Sequence, residues 1–202
     1  MAVRHVMLLR HGQTASSAAG HFTGRADVPL TDVGRAQAAA WRPFMEGLAD
    51  LTAFSSPLSR AMETATLAGL SPEPMADLAE WDLGPLDGLV ADEFRRAHPE
   101  WNLYVDGPGE PGETPDAVAP RAQRVLARVR DTDSEVVVLV SHGQFLRVLT
   151  AAAVDVPLTV GSRFSFGPAR SGLLTLRANG RLSLTGWNLP STVGPDLFDA
   201  LT

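Results

Sequence analysis

The chain has neither cysteine nor lysine among its 202 residues. Without cysteine there is no disulfide framework, no thiolate nucleophile and no thiolate metal ligand. Without lysine there is no Walker-type phosphate loop and no Schiff-base chemistry. Positive charge is short as well. A net charge of −6 argues against nucleic-acid binding, which needs a basic face to neutralise phosphates. No apolar run reaches the length of a membrane span, and the N-terminal residues lack the ordered segments of a signal peptide. A cytoplasmic protein is expected. At this length one domain over residues 1–202 is expected, burying roughly 70% of its unfolded surface.

What the chain does have is one local pattern used twice. His5-Val6-Met7-Leu8-Leu9-Arg10-His11-Gly12 and Val136-Val137-Val138-Leu139-Val140-Ser141-His142-Gly143 each place an apolar run before His-Gly. Short continuous apolar runs read as strands covered on both faces, and in such sheets ligands bind beyond the carboxyl ends of the strands. Both histidines then stand at one rim.

Strands are predicted over 4–9, 51–54, around Met75 and over 136–140. Thr31 reads as the N-cap of a helix that Pro43 interrupts. Ser56-Pro57 reads as a helix start that puts Arg60 in the first turn, with Gly69 closing the helix. Further helices are expected near 93–98, 116–130 and 144–154, and a hairpin turns at Ala178-Asn179-Gly180. The fold class is α/β: a three-layer sandwich with a mostly parallel central sheet, one antiparallel edge strand and helices on both faces. Gly107-Pro108-Gly109-Glu110-Pro111-Gly112 satisfies the dinucleotide fingerprint literally, but follows no strand and spends two positions on proline, so it reads as a loop.

The chemistry follows from residue types. Phosphoryl transfer needs oxygens held and neutralised while nucleophile and leaving group lie in line. Guanidinium groups at strand ends, Arg10 and Arg60, suit that task. A neutral imidazole, His11, can attack phosphorus to form a covalent phosphohistidine, and Glu80 is the acid placed to protonate the leaving alkoxide.

Arg10-His11-Gly12-Gln13-Thr14, Gly20 to Gly34, Ser56-Pro57-Leu58-Ser59-Arg60, Glu80 and Val140-Ser141-His142-Gly143 occur in the order and spacing of the histidine phosphatase superfamily. The chain resembles its cofactor-dependent phosphoglycerate mutase-like branch over nearly its whole length. The resemblance implies that His11 is phosphorylated and that Arg10, Arg60 and His142 hold the transferred group. It implies that Glu80 is proton donor and then base, and that Thr23, Gly24, Ser17 and Glu113 lie at the phosphate or substrate site. It implies no cofactor and no metal, a small phosphorylated substrate, and allows a homodimer. Gln13 stands where the family usually has glutamate, Ser17 where it often has asparagine, and Thr23 where it has glutamine. The chain is short after Glu80 and lacks the Arg-His-Tyr of mutases there, so hydrolysis is favoured over mutase-type phosphotransfer.

Three other readings stay in view: a mutase, a metal-dependent hydrolase using His11, His142 and an acid as ligands, and a non-catalytic phosphate-binding domain. Arginines beside the histidines oppose a bound dication. Asp82 and Asp87, like Glu113, are acids near Glu80, for which a solvated acidic turn is the bland reading. His5 and His98 are expected at the surface, and His21 is a lesser candidate for substrate contact. Arg25 with Asp27 reads as a local ion pair or helix-cap support.

Overall fold

A computed structural model describes residues 4–194. Six strands form one sheet: β1 (His5–Arg10), β2 (Leu51–Ser55), β3 (Glu73–Pro74), β4 (Val136–Ser141), β5 (Ser171–Leu176) and β6 (Leu182–Leu189), in the order β3-β2-β4-β1-β5-β6. β3, β2, β4 and β1 are parallel. β5 is antiparallel to β1, and β6 closes the hairpin outside it. The antiparallel strand is thus second from the edge. Its turn is made at Arg177–Arg181, with Gly180 at φ 79°.

The apolar runs are continuous because both faces are covered. Val6, Leu8, Val137 and Leu139 enter one core with Val125 and Phe145. Met7, Leu9, Val138 and Val140 enter a second with Trp41, Ala61 and Ala65. Alternation along each strand divides these neighbours between the two layers. The helices are α1 (Ala15–Ala18), α2 (Asp32–Ala39), α3 (Arg42–Glu46), α4 (Ser59–Leu67), α5 (Ala91–Ala97), α6 (Leu103–Asp106), α7 (Pro115–Arg130) and α8 (Gly143–Ala153). Among the described residues no helix is long and apolar enough to cross a membrane.

Local chemistry sets the boundaries. Thr31 caps α2 by accepting from the Gly34 amide, and Pro43 falls in the first turn of a separate helix, α3. Thr114 caps α7, with Pro115 in its first turn. Gly69, at φ 85°, follows α4 and supplies its left-handed exit. Three expectations need correction. Ser56 is not the cap of α4: the helix begins at Ser59, whose amide and hydroxyl both donate to Asp27 Oδ1, at 2.9 and 2.8 Å. Helix-cap support is therefore the role Asp27 takes. His5 is buried, 3.3 Å from Thr175 Oγ1, because β5 covers its strand. The third strand is two residues long and ends before Met75.

Candidate active site

Register fixes the pair of histidines. In the parallel ladder Arg10 pairs with Ser141, so the next residues, His11 and His142, leave adjacent strands at one level. The His11 amide donates to Ser141 O at 2.9 Å, and the two ring centroids are 5.1 Å apart. Gly12 is required by proximity: a Cβ there would meet Gly34 O at 2.3 Å, where the loop packs against the start of α2.

His11 is held in one tautomer. Its Nδ1–H donates to Gly12 O at 2.7 Å, which leaves Nε2 as the nitrogen available to an electrophile. His142 is oriented oppositely: Arg60 Nε–H donates to its Nδ1 at 3.2 Å, so Nε2–H donates to Ser56 Oγ at 2.7 Å. The serine expected as a helix cap thus orients a ring. Burial, with Arg10 and Arg60 adding to it, holds His11 well below the ordinary histidine range. Burial first, then His11 and Arg60, does the same for His142. Both rings are neutral near pH 7.

This has a measurable consequence. The unfolded chain takes up protons at both histidines as pH falls through about 6.5, while the folded chain does so only at lower pH. Stability is complete above that value and falls below it, by up to about 1.4 kcal/mol per histidine for each pH unit. A lower urea midpoint near pH 5.5 than near pH 7.5 is expected; an unchanged midpoint contradicts the buried neutral rings.

The guanidinium groups are fixed by carbonyls. Arg60 Nη1 and Nη2 donate to Ala26 O at 2.7 Å and Gly24 O at 2.9 Å. Arg10 Nη1 donates to Phe166 O, and burial brings the Arg10 pKa down to about 10, leaving it charged at neutral pH. Arg60 and His142 are fully covered, and the His142 ring links Arg60 to the neighbourhood of His11.

Glu80 is 5% exposed, so it is not a solvated acidic turn. Its Oε1 accepts from the amides of Trp81 (2.9 Å) and Phe145 (2.8 Å), and its Oε2 from Gln144 (3.1 Å). The carboxylate thereby caps α8, whose N-cap residue His142 offers no side-chain bond of its own.

A hollow of about 200 Å³ opens on these groups, lined by Arg10, His11, Ser17, His21, Thr23 and Glu80 among others. The described residues include four buried side-chain polar atoms without a partner, and three belong to residues that line this hollow: Arg10 Nε, Thr23 Oγ1 and Arg147 Nε. All three carry hydrogen available for donation. A hollow lined by guanidinium and hydroxyl side chains suits an oxygen-rich anion.

Of the remaining sequence candidates, Ser17 lines the hollow while its hydroxyl completes the cap of α1 with Thr14. Gly24 lies behind it, its carbonyl taken by Arg60. Glu113 is displaced from its expected role. Arg121 binds both its oxygens, at 2.9 and 2.7 Å, and its carbonyl accepts from Trp81 Nε1 at 2.6 Å, so it braces the segment that carries Glu80. Arg25 adds an ion pair to Glu113 at 3.9 Å. Gln13 Oε1 accepts from Thr31 Oγ1 at 2.9 Å, tying the loop to the cap of α2. Sequence reasoning missed Arg95 and Arg147, which also line the hollow. Arg147 lies five residues past His142 on an amphipathic helix, where an arginine carries no signal of its own. Among the described residues no group of three or more His, Asp or Glu is arranged to hold a metal ion.

Known proteins resemble this chain in sequence and in fold. The histidine phosphatase superfamily (branch 1) profile matches residues 6–190. An acid phosphatase of Mycobacterium tuberculosis is 37% identical over 204 residues, covering 96% of this chain and all of that one. A glucosyl-3-phosphoglycerate phosphatase of Mycolicibacterium vanbaalenii is 33% identical, over 78% of this chain and 77% of its own length. The solved structure of an open reading frame product of Mycobacterium tuberculosis superposes with a TM-score of 0.86 at 35% identity, over 93% of this chain and 98% of that one. A mycobacterial glucosyl-3-phosphoglycerate phosphatase solved with VO3 superposes with a TM-score of 0.80 at 28% identity, over 93% and 100%. With a matching profile and these relatives, the chain is a phosphatase belonging to the histidine phosphatase superfamily, branch 1.

Proposed function

We propose that this chain, as one catalytic domain over residues 1–202, hydrolyses a small phosphorylated metabolite through a phosphohistidine on His11, without metal or cofactor. Neutral His11 attacks phosphorus through Nε2 while the ester oxygen leaves with a proton from Glu80. Glu80 then takes a proton from the water that attacks the phosphohistidine, and phosphate departs. Arg10 and Thr23 contact the phosphoryl oxygens from the wall of the hollow, with Ser17 at its edge. Arg60 and His142 support the transferred group electrostatically from behind, and Gly24 keeps Arg60 in place. The observation that carries this reading is one hollow lined by Arg10, Glu80 and a histidine with one committed nitrogen.

Hydrolysis is preferred to mutase transfer on the residues after Glu80, where Trp81-Asp82-Leu83 stands. The names of similar proteins include a sugar-linked phosphoglycerate, and only their common part, a small phosphorylated metabolite, is carried over. We extend the proposal to a cytoplasmic enzyme without nucleic-acid or membrane partners, and to a homodimer, which sedimentation equilibrium checks.

Vanadate, which adopts a five-coordinate geometry near that of the transition state, is expected to inhibit phosphomonoester hydrolysis competitively. Activity is expected to persist in excess chelator without added bisphosphate. Loss of activity in chelator would favour the metal-dependent alternative, and absence of vanadate inhibition contradicts the proposed pocket.

A further inference from the structure

One buried charge takes no part in the proposed steps. Arg121, on α7, is buried, and its partner Glu113 is largely covered as well. A buried ion pair is often no more stabilising than apolar side chains of similar volume, because both charges lose their water. The role of this pair lies in what it holds.

All five N–H donors of Arg121 find acceptors. Nε and Nη2 bind the two Glu113 oxygens at 2.9 and 2.7 Å. The other three reach backbone carbonyls: Nη1 those of Asp77 at 2.8 Å and Ala79 at 2.5 Å, and Nη2 that of Glu80 at 3.4 Å. These carbonyls belong to the short segment that carries Glu80. The guanidinium also stands over the Phe145 ring, 4.1 Å from its centroid. The amide of that same Phe145 donates to Glu80 Oε1 at 2.8 Å. Arg121 therefore grips both the backbone of Glu80 and a residue that binds its carboxylate. Glu113 extends the grip past Glu80: its carbonyl accepts from Trp81 Nε1 at 2.6 Å and its Oε2 from the Asp82 amide at 3.3 Å.

We infer that Arg121, paired with Glu113, is a positioning residue for Glu80, fixing its carboxyl where it can reach the leaving oxygen. The inference rests on Glu80 being the proton donor. Displacing a reacting group by about 1 Å costs on the order of a hundredfold in rate.

Leaving-group chemistry separates positioning from folding. kcat/KM covers the steps through departure of the leaving group, which an alkoxide makes with a proton and p-nitrophenolate without one. The alkyl probe is glycerol 3-phosphate or 3-phosphoglycerate, whichever the wild type hydrolyses faster. In Arg121→Met its kcat/KM is expected to fall by about tenfold to a hundredfold, while that of p-nitrophenyl phosphate stays within about threefold of wild type. On p-nitrophenyl phosphate, kcat and KM are expected to fall together, because attack of water on phosphohistidine then limits turnover. Arg121→Lys keeps the charge without the planar fork and is expected to recover part of the loss. Arg121→Met leaves Glu113 without its main partner; where that variant fails to fold, Arg121→Met/Glu113→Gln, which removes both charges, takes its place. Glu80→Gln is measured alongside. If Glu80→Gln is selective for the alkyl ester, equal losses on both esters in a folded Arg121 variant, or no loss on either, overturn this inference alone. Failure of all three Arg121 variants to fold assigns the guanidinium to the fold and also overturns it. A Glu80→Gln enzyme without selectivity, or a wild type inert toward both alkyl esters, overturns the proton-donor reading and this inference with it.

Discussion

Replacing His11 with alanine is expected to lower kcat/KM for phosphomonoesters by roughly 10⁴-fold or more while the fold persists. The loss is large because the neighbouring histidine cannot take over the attack. His142 is fully covered, with Nδ1 and Nε2 bonded to Arg60 and Ser56. The fold persists because the ring contributes one side-chain bond, to the carbonyl of its own neighbour Gly12. Its backbone bonds, from the His11 amide to Ser141 O and from the Ala169 amide to His11 O, do not depend on the side chain. A thermal midpoint within a few degrees of wild type is expected alongside the lost turnover. Turnover retained near the wild-type value would exclude the covalent route.

Glu80→Gln carries the second large effect, a loss of roughly 10²- to 10⁴-fold on alkyl phosphates. Glutamine keeps one acceptor oxygen but turns an NH₂ group toward the amides at the start of α8, so part of any loss is structural. The leaving group separates the two contributions. An alkoxide needs a proton as it departs, whereas p-nitrophenolate does not. Phosphorylation by p-nitrophenyl phosphate is therefore expected to survive in the variant, while attack of water on phosphohistidine loses its base. A burst of one p-nitrophenolate per active site, followed by slow turnover, is the expected trace. Equal losses on both substrates with no burst would leave Glu80 as the cap of α8 and nothing more.

The parts legible in the sequence were those written in local chemistry. Two apolar runs ending in His-Gly identified β1 and β4, and because the sheet is parallel their equal lengths also brought His11 and His142 to one level. Thr31 and Pro43 marked their helix boundaries for the same reason. What could not be read depends on partners distant in the chain. Ser56 has the composition of a cap, but the tertiary partner that takes it is His142, 86 residues away, while Asp27 supplies the cap from another loop. Glu113 has the context of a substrate ligand, yet Arg121, two turns along α7, claims its carboxylate. Arg95 and Arg147 reach one hollow from helices 46 residues apart in the chain, and no spacing rule joins them. Burial of His5 likewise follows from β5, whose antiparallel pairing with β1 lies 170 residues downstream at Thr175.

The central claim is a bond between phosphorus and one ring nitrogen. Mixing the enzyme with a phosphoester labelled in its phosphoryl group, quenching within milliseconds and mapping the label by peptide mass tests it directly. Label on the peptide containing His11, stable in alkali and released by acid as a phosphoramidate should be, is the result predicted. Label absent from that peptide during active turnover, or held in an acid-stable linkage, would contradict it.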